Sequence, residues 1–321
     1  MNSTDTIAVA SRSFSKNEFL VNRLKENYSK VILNETGKTL HGKDLIQFLK
    51  LADKAIIGIE KISRDILEQL PNLKVISKYG VGLNNLELDS LKAREIMIGF
   101  TPGVNKQSVA ELALTLCLIS LRKIHMNHME ILQGQWSQEK GSELFGKTIG
   151  LLGFGNIGKQ FASLLQPFNC KILFFDEQQF ENEDIAVLCD DLALNPALIQ
   201  QKELSFILEH ADILSIHLPL STGTENIISS KELSKLKTNV SIVNTARGGI
   251  INELDLFNFL SDQPHAFAAF DVYAEEPAIN NPLFELSNFY GTSHRSSLTH
   301  EGINSMGLAA IAGLDDNITI S

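Results

Sequence analysis

Residues 148–176 read TIGLLGFGNIGKQFASLLQPFNCKILFFD. An apolar run, Ile149 to Leu152, leads into Gly153-Phe154-Gly155-Asn156-Ile157-Gly158. Apolar residues then recur at helical spacing, at Phe161, Leu164, Leu165 and Phe168. A second apolar run, Lys171 to Phe175, ends in Asp176. The order is strand, glycine turn, helix, strand, acid, all within one βαβ unit.

Each part has a physical task. Gly153 permits a tight turn, Gly155 lets the backbone approach a pyrophosphate, and Gly158 lets the helix pack close to the strand. The helix N-terminus that follows offers unpaired N–H groups and a positive dipole end to the phosphates. Asp176 is placed to accept hydrogen bonds from both adenosine ribose hydroxyls and to repel a 2′-phosphate, so the pattern predicts NAD rather than NADP. A glycine-rich βα corner with no ligand is the plain alternative. The flanking strands and the acid weigh against it.

The length, 321 residues, is enough for two domains, each with its own core. A hydrophobic content of 44% and a charged content of 21% are ordinary for a soluble protein. A net charge of −10 argues against nucleic acid or an anionic membrane as the main partner. Cys117, Cys170 and Cys189 have no metal-ligand or CxxC spacing, so reduced thiols in a cytoplasmic protein and no metal site are expected. No signal peptide is visible, and the apolar stretch 110–121 is too short and too polar to span a bilayer.

Strand and helix patterns alternate through the N-terminal third, which predicts a parallel sheet covered by helices. This region has no GxGxxG and reads as a separate α/β domain. Thr101-Pro102-Gly103 breaks the alternation, and one long helix is expected over about 108–132. A hinge is expected near 103–106. A last apolar helical pattern, Ile303 to Ile311, needs a surface to bury its face and is expected to return to the first domain.

Three segments carry candidate chemistry. In Ile242-Val243-Asn244-Thr245-Ala246-Arg247, a buried strand delivers Arg247 past its carboxyl end, the edge where open α/β sheets bind ligands. An arginine there can hold a carboxylate by two parallel charge-assisted hydrogen bonds. The others are Asp271-Val272-Tyr273-Ala274-Glu275-Glu276-Pro277 and Thr292-Ser293-His294-Arg295-Ser296-Ser297. A carboxylate beside a histidine favours the imidazolium and fixes its tautomer, and such a histidine can protonate a carbonyl oxygen or deprotonate a hydroxyl. From spacing alone, Arg247 also reads as a surface ion-pair residue, and Glu276 and His294 as unrelated loop residues.

Seven ordered motifs join these pieces: KYGVGLNNLELDSL (78–91), TPGVNKQSVAEL (101–112), GQW (134–136), GKTIGLLGFGNIG (146–158), HLPLSTGT (217–224), VNTARGGIINE (243–253) and DVYAEEP (271–277). TSHRSS (292–297) is a looser match. In these the chain resembles the D-isomer-specific 2-hydroxyacid dehydrogenases over nearly its whole length. The resemblance implies an α/β fold of two doubly wound parallel-sheet domains. A flavodoxin-like substrate domain would comprise 1–104 plus 295–321, and a Rossmann NAD domain 105–294. It implies a catalytic set of Arg247, Glu276 and His294. Cofactor contacts would come from Gly153, Gly155, Asn156, Ile157, Gly158, Asp176, Leu218, Pro219, Thr245 and Ala246, with Asp271 near the nicotinamide carboxamide. Backbone amides of Tyr79, Gly80, Val81 and Gly82 would join Arg247 at the substrate carboxylate. The implied reaction is reversible hydride transfer between NAD and a small 2-keto or 2-hydroxy acid, with domain closure excluding water and a homodimer formed through the NAD domain.

Departures from the family pattern bear on the substrate. Ser293 stands where proline is usual, and Arg295 adds a cation beside His294, either facing solvent or reading a second anionic group. The family's phosphate-binding arginine aligns with Ile57 or Gly58, which argues against a phosphorylated substrate, although Lys78 is basic and could partly replace it. The chain ends at Ser321, so the C-terminal regulatory domain of some relatives is not expected. The competing reading is a non-enzymatic NAD-sensing module, as in corepressors of this fold. A formate- or phosphite-oxidising enzyme is a third, with Glu276 against the formate version.

Overall fold

A computed structural model describes residues 3–192 and 194–320. The chain divides into two compact units, Met1–Asn105 with Thr299–Ser321, and Lys106–Leu298.

The first unit carries strands β1 (Ser3–Val9), β2 (Tyr28–Leu33), β3 (Lys54–Ile57), β4 (Val75–Lys78) and β5 (Met97–Gly99). They pair in the order β2-β1-β3-β4-β5, all parallel. This is the flavodoxin-like order, with its switch point between β1 and β3. Ile7, Ala8, Val9, Ala55, Ile56 and Ile57 are fully buried, as a parallel sheet covered on both faces requires. The helix His300–Ala312 packs on this unit. Its Gly307 lies where a Cβ would come within 2.2 Å of Leu20 Cδ1, and Ser77 Oγ donates to the Ala310 carbonyl at 2.6 Å. Beyond the helix, Ile318 bridges Ile98 in antiparallel fashion and covers the edge of β5.

The second unit carries β6 (Thr148–Leu152), β7 (Lys171–Phe175), β8 (Ile199–Gln201), β9 (Ile213–Ile216), β10 (Ser241–Asn244), β11 (Phe267–Phe270) and β12 (Phe289–Gly291). The order is β12-β11-β10-β9-β6-β7-β8, again all parallel. The switch point falls between β6 and β9, directly beyond the glycine turn. The helix Asn156–Leu165 buries Phe161, Ala162 and Leu165 over this sheet. Phe161→Ala there is expected to cost about 3–5 kcal/mol.

The long helix expected over 108–132 is two helices, Lys106–Arg122 and Ile124–Leu132. Lys123 between them has φ +50°, a left-handed conformation that ends an α-helix. Its ammonium pairs with Glu139 at 2.8 Å. Neither glycine nor proline marks this break in the sequence. Among the described residues, no helix is long and apolar enough to cross a membrane.

Candidate active site

The glycine turn follows β6. Gly153 has φ +97°, and a Cβ on it would lie 2.7 Å from the carbonyl group of His217. A Cβ on Gly158 would lie 2.3 Å from the Gly153 carbonyl oxygen, so helix and turn meet backbone to backbone. Gly155 differs. It has an ordinary φ of −79°, and a Cβ there would meet nothing within 4 Å. The protein's own packing therefore does not demand glycine at 155; it leaves a cradle that a close-approaching pyrophosphate would fill. Asn156 and Ile157 begin the helix, and their amides fall among those with no intrahelical acceptor.

Asp176 ends β7 and turns back over the glycine turn. Its Oδ2 accepts the Phe154 amide at 2.6 Å and its Oδ1 the Gln178 amide at 3.0 Å. The carboxylate is held half-buried above the nucleotide cradle. At the ends of β9 and β10 two polar atoms are buried without a protein partner: His217 Nδ1 and Thr245 Oγ1. Thr245 is 3% exposed. A buried hydroxyl with no protein partner at the carboxyl edge of the same sheet is the pattern expected where a polar ligand completes the hydrogen bonding. His217 Nε2 contacts Ser215 Oγ at 2.9 Å, and burial pushes the imidazole pKa down to about 3, so the ring is neutral. His217 opens the HLPLSTGT motif, and the structure places it at the switch point. Leu218 is buried and Pro219 exposed, with the Pro219 carbonyl capped by Thr224 Oγ1 at 2.5 Å.

The turn after β10 presents Arg247. Asn244 shapes it, accepting the Ala246 amide at 3.0 Å and donating to the Arg247 carbonyl at 2.9 Å. The half-buried guanidinium donates to the Ala246 carbonyl at 2.6 Å, and among the described residues it makes no ion pair. Burial lowers its pKa, and the nearby charge of Glu276 acts in the opposite direction. Gly248 follows. A Cβ there would lie 1.8 Å from the Tyr273 carbonyl carbon, so only glycine lets the Arg247 turn press against the segment that carries Glu276.

Glu276 and His294 are brought together. Glu276 Oε2 lies 2.7 Å from His294 Nδ1, and its Oε1 accepts the Tyr273 amide at 3.1 Å. The imidazole remains about half exposed. His294 has φ +49°, uncommon for a residue with a Cβ and found at functional sites where surrounding bonds impose it.

Asp271 braces this loop. Its side chain is fully buried beneath the histidine segment. It accepts from Thr292 Oγ1 at 2.5 Å and from the amides of Arg295 and Ser296 at 2.8 Å each, while its carbonyl accepts the His294 amide at 2.8 Å. The segment that departs from the family pattern is thus the one Asp271 anchors. The Arg295 side chain is exposed and, among the described residues, forms no ion pair.

In the first unit, Tyr79 to Gly82 form a half-buried loop after β4, with Gly80 at φ +127°. Lys78, considered as a stand-in for a phosphate-binding arginine, is 7% exposed. Its ammonium is engaged by the Gly58 carbonyl and, at 2.8 Å, by Asn85 Oδ1. It braces the loop from beneath, because a buried ammonium must be paired within the protein.

A family model described as "D-isomer specific 2-hydroxyacid dehydrogenase, NAD binding domain" matches residues 114–296. The D-3-phosphoglycerate dehydrogenase of Methanocaldococcus jannaschii is 32% identical over 284 residues, covering 86% of this chain and 52% of that protein. The hydroxypyruvate reductase of Thermotoga maritima is 33% identical over 285 residues, covering 87% and 89%. The chain belongs to the D-isomer-specific 2-hydroxyacid dehydrogenases. It spans about half the length of the first relative and most of the second. The solved NAD+-bound 3-phosphoglycerate dehydrogenase of Entamoeba histolytica superposes with a TM-score of 0.77 at 25% identity, over 97% of this chain and 94% of that one. The family is one of NAD-dependent oxidoreductases, and NAD is the cofactor of the matched domain. The residues around the glycine turn fit that group: the space at Gly155 is open, and the Asp176 carboxylate stands beside the turn.

Proposed function

We propose that this chain reduces a small, unphosphorylated 2-keto acid to the D-2-hydroxy acid, reversibly and with NADH. The observation that carries the reading is the 2.7 Å pairing of His294 with Glu276, beside a half-buried Arg247 that makes no ion pair among the described residues. A half-buried guanidinium with no direct ion pair is well placed to gain from a ligand carboxylate that pairs with it.

When bound, the reduced nicotinamide supplies the hydride for C2. Arg247 holds the substrate carboxylate through its forked N–H groups and polarises the adjacent carbonyl. His294, oriented through Nδ1 by Glu276, presents Nε2 and gives its proton to the carbonyl oxygen as the alkoxide forms; in oxidation it removes the hydroxyl proton. Asp271 holds the histidine loop in place. Thr245, Ala246, Leu218 and Pro219 line the cofactor side, and the amides of Tyr79, Gly80, Val81 and Gly82 are assigned to the substrate carboxylate.

The hydroxypyruvate reductase among the relatives, together with the engagement of Lys78, supports an unphosphorylated substrate such as glyoxylate or hydroxypyruvate. A homodimer is also proposed. The helix Ile124–Leu132 buries none of its residues, and Ile124, Met129, Ile131, Leu132, Trp136 and Phe145 are all exposed along 124–145. A second copy of the chain covering this surface would remove it from water. The test of function is NADH oxidation against glyoxylate, pyruvate, hydroxypyruvate and 3-phosphohydroxypyruvate. Turnover is expected on at least one unphosphorylated acid. NADH binding without turnover on any of them would favour a nucleotide-sensing module instead.

A further inference from the structure

Glu253 opens the helix Glu253–Asp262 and stands outside the catalytic set. Its two carboxylate oxygens reach the same loop from one side. Oε1 accepts the Ala274 amide and Oε2 the Asn281 side-chain amide, both at 2.6 Å. The loop held between these two points, 274–281, carries Glu276. Just before it, the Tyr273 amide donates to Glu276 Oε1, and the Tyr273 carbonyl is pressed by Gly248. Asn281 is itself fixed, because its Oδ1 accepts the Leu283 amide at 3.0 Å and so leaves its NH2 aimed at Glu253.

We propose that Glu253 is a positioning residue for the acid–base pair. Its carboxylate clamps the 274–281 loop at both ends, and this holds Glu276 Oε2 at hydrogen-bonding distance from His294 Nδ1. The proposal rests on the dehydrogenase reading above and adds to it a residue that touches neither substrate nor cofactor. The helix to which Glu253 belongs starts six residues after Arg247, so one rigid element ties the carboxylate-binding turn to the loop of the pair. The choice of residue is restrictive. Both partners are N–H donors, so a side chain with two acceptor oxygens satisfies them together, whereas glutamine must turn its own NH2 towards one of them. Charge-assisted bonds of this kind are short and directional.

The experiment is a double-mutant cycle with Glu253→Gln and Glu276→Gln, read as kcat for the best keto acid of the panel, with NADH affinity measured by fluorescence and Tm by calorimetry. Glu253→Gln alone is expected to lower kcat about tenfold, since small misplacements of a catalytic group carry penalties of this order and above. KM for the keto acid and NADH affinity should stay within about twofold. In the Glu276→Gln background the same change should have almost no further effect on kcat, because the two residues act through one interaction. Asn281→Ala, which removes a single bond of the clamp, should show a smaller loss of the same kind. An unchanged kcat in Glu253→Gln would overturn the proposal, whatever happens to Tm. So would full additivity of the two substitutions. If instead the wild-type protein turns over no keto acid at all, the dehydrogenase reading itself has failed, and the two failures are told apart by that one control.

Discussion

His294 Nδ1 and Glu276 Oε2 lie 2.7 Å apart although 18 residues separate them in the chain. The contact fixes which nitrogen of the ring faces the carboxylate and leaves Nε2 for chemistry. His294→Ala is therefore expected to lower kcat by about 10²–10⁴-fold, the usual worth of a positioned acid–base group. NADH titration by fluorescence should give an unchanged Kd. A near-wild-type rate would remove His294 from its role.

Arg247 sets a second expectation. Its half-buried guanidinium is without an ion pair among the described residues, and the proposed function assigns it to the substrate carboxylate. Arg247→Lys keeps the charge but loses the fork, so kcat/KM for the keto acid should fall by at least about tenfold, with Arg247→Ala worse. Steady-state kinetics across keto acid concentrations measure this directly, and equal kcat/KM in Arg247→Lys would contradict a bidentate role.

We assign nucleotide choice to Asp176, whose carboxylate stands over the glycine turn through the Phe154 amide. Asp176→Ser should raise the NADPH-to-NADH ratio of kcat/KM by at least about tenfold, since like-charge repulsion of a 2′-phosphate is worth more than 1.4 kcal/mol. A ratio that does not move would show that another group selects the nucleotide.

Gly248→Ala is expected to be severe. The new Cβ would overlap the Tyr273 carbonyl, with 1.8 Å to the carbon and 1.9 Å to the oxygen. Backbone must shift, at about 1–3 kcal/mol for overpacking. Calorimetry should show a lower Tm, and kcat should fall with it because the Arg247 turn and the Glu276 segment separate. Retention of both would mean that the two segments are not closely packed.

Acid lability is expected from Asp212. Burial opposes its ionisation, but the Lys237 ammonium at 2.8 Å and the Thr148 amide at 2.9 Å outweigh it and hold the carboxyl below its usual range. A group whose pKa is depressed on folding contributes stability above its unfolded value, near about 4, and loses it as pH falls through the folded value. Asp212→Asn should thus lower Tm at pH 7 by about 2–4 °C, for roughly 1 kcal/mol of lost bonding. The difference should shrink below pH 4. A constant difference across pH would show that ionisation is not its source.

Much of the site is visible in the sequence because each part sits at a strand end with its own local signal. The glycine turn and Asp176 need only βαβ spacing. Arg247, Glu276 and His294 follow from the motif resemblance, but their meeting depends on β10, β11 and β12 standing side by side, which no local pattern encodes. Strands β8 and β12 have only three residues each, too short for periodicity to show. The break at Lys123 has no glycine or proline to announce it. The bonds of Asp271 and Lys78 to backbone and amide groups are likewise invisible in the sequence, because they join segments far apart in the chain.

The central claim is hydride delivery to C2 of a 2-keto acid, and isotope transfer tests it most directly. NADH carrying deuterium at the transferable C4 position is incubated with the protein and, in turn, glyoxylate, pyruvate and hydroxypyruvate, and the products are analysed by mass spectrometry and chiral chromatography. The account predicts a 2-hydroxy acid with a single deuterium at C2, of D configuration where C2 is chiral, and a rate that collapses in His294→Ala. Bound NADH with no deuterated hydroxy acid from any of these substrates would contradict it.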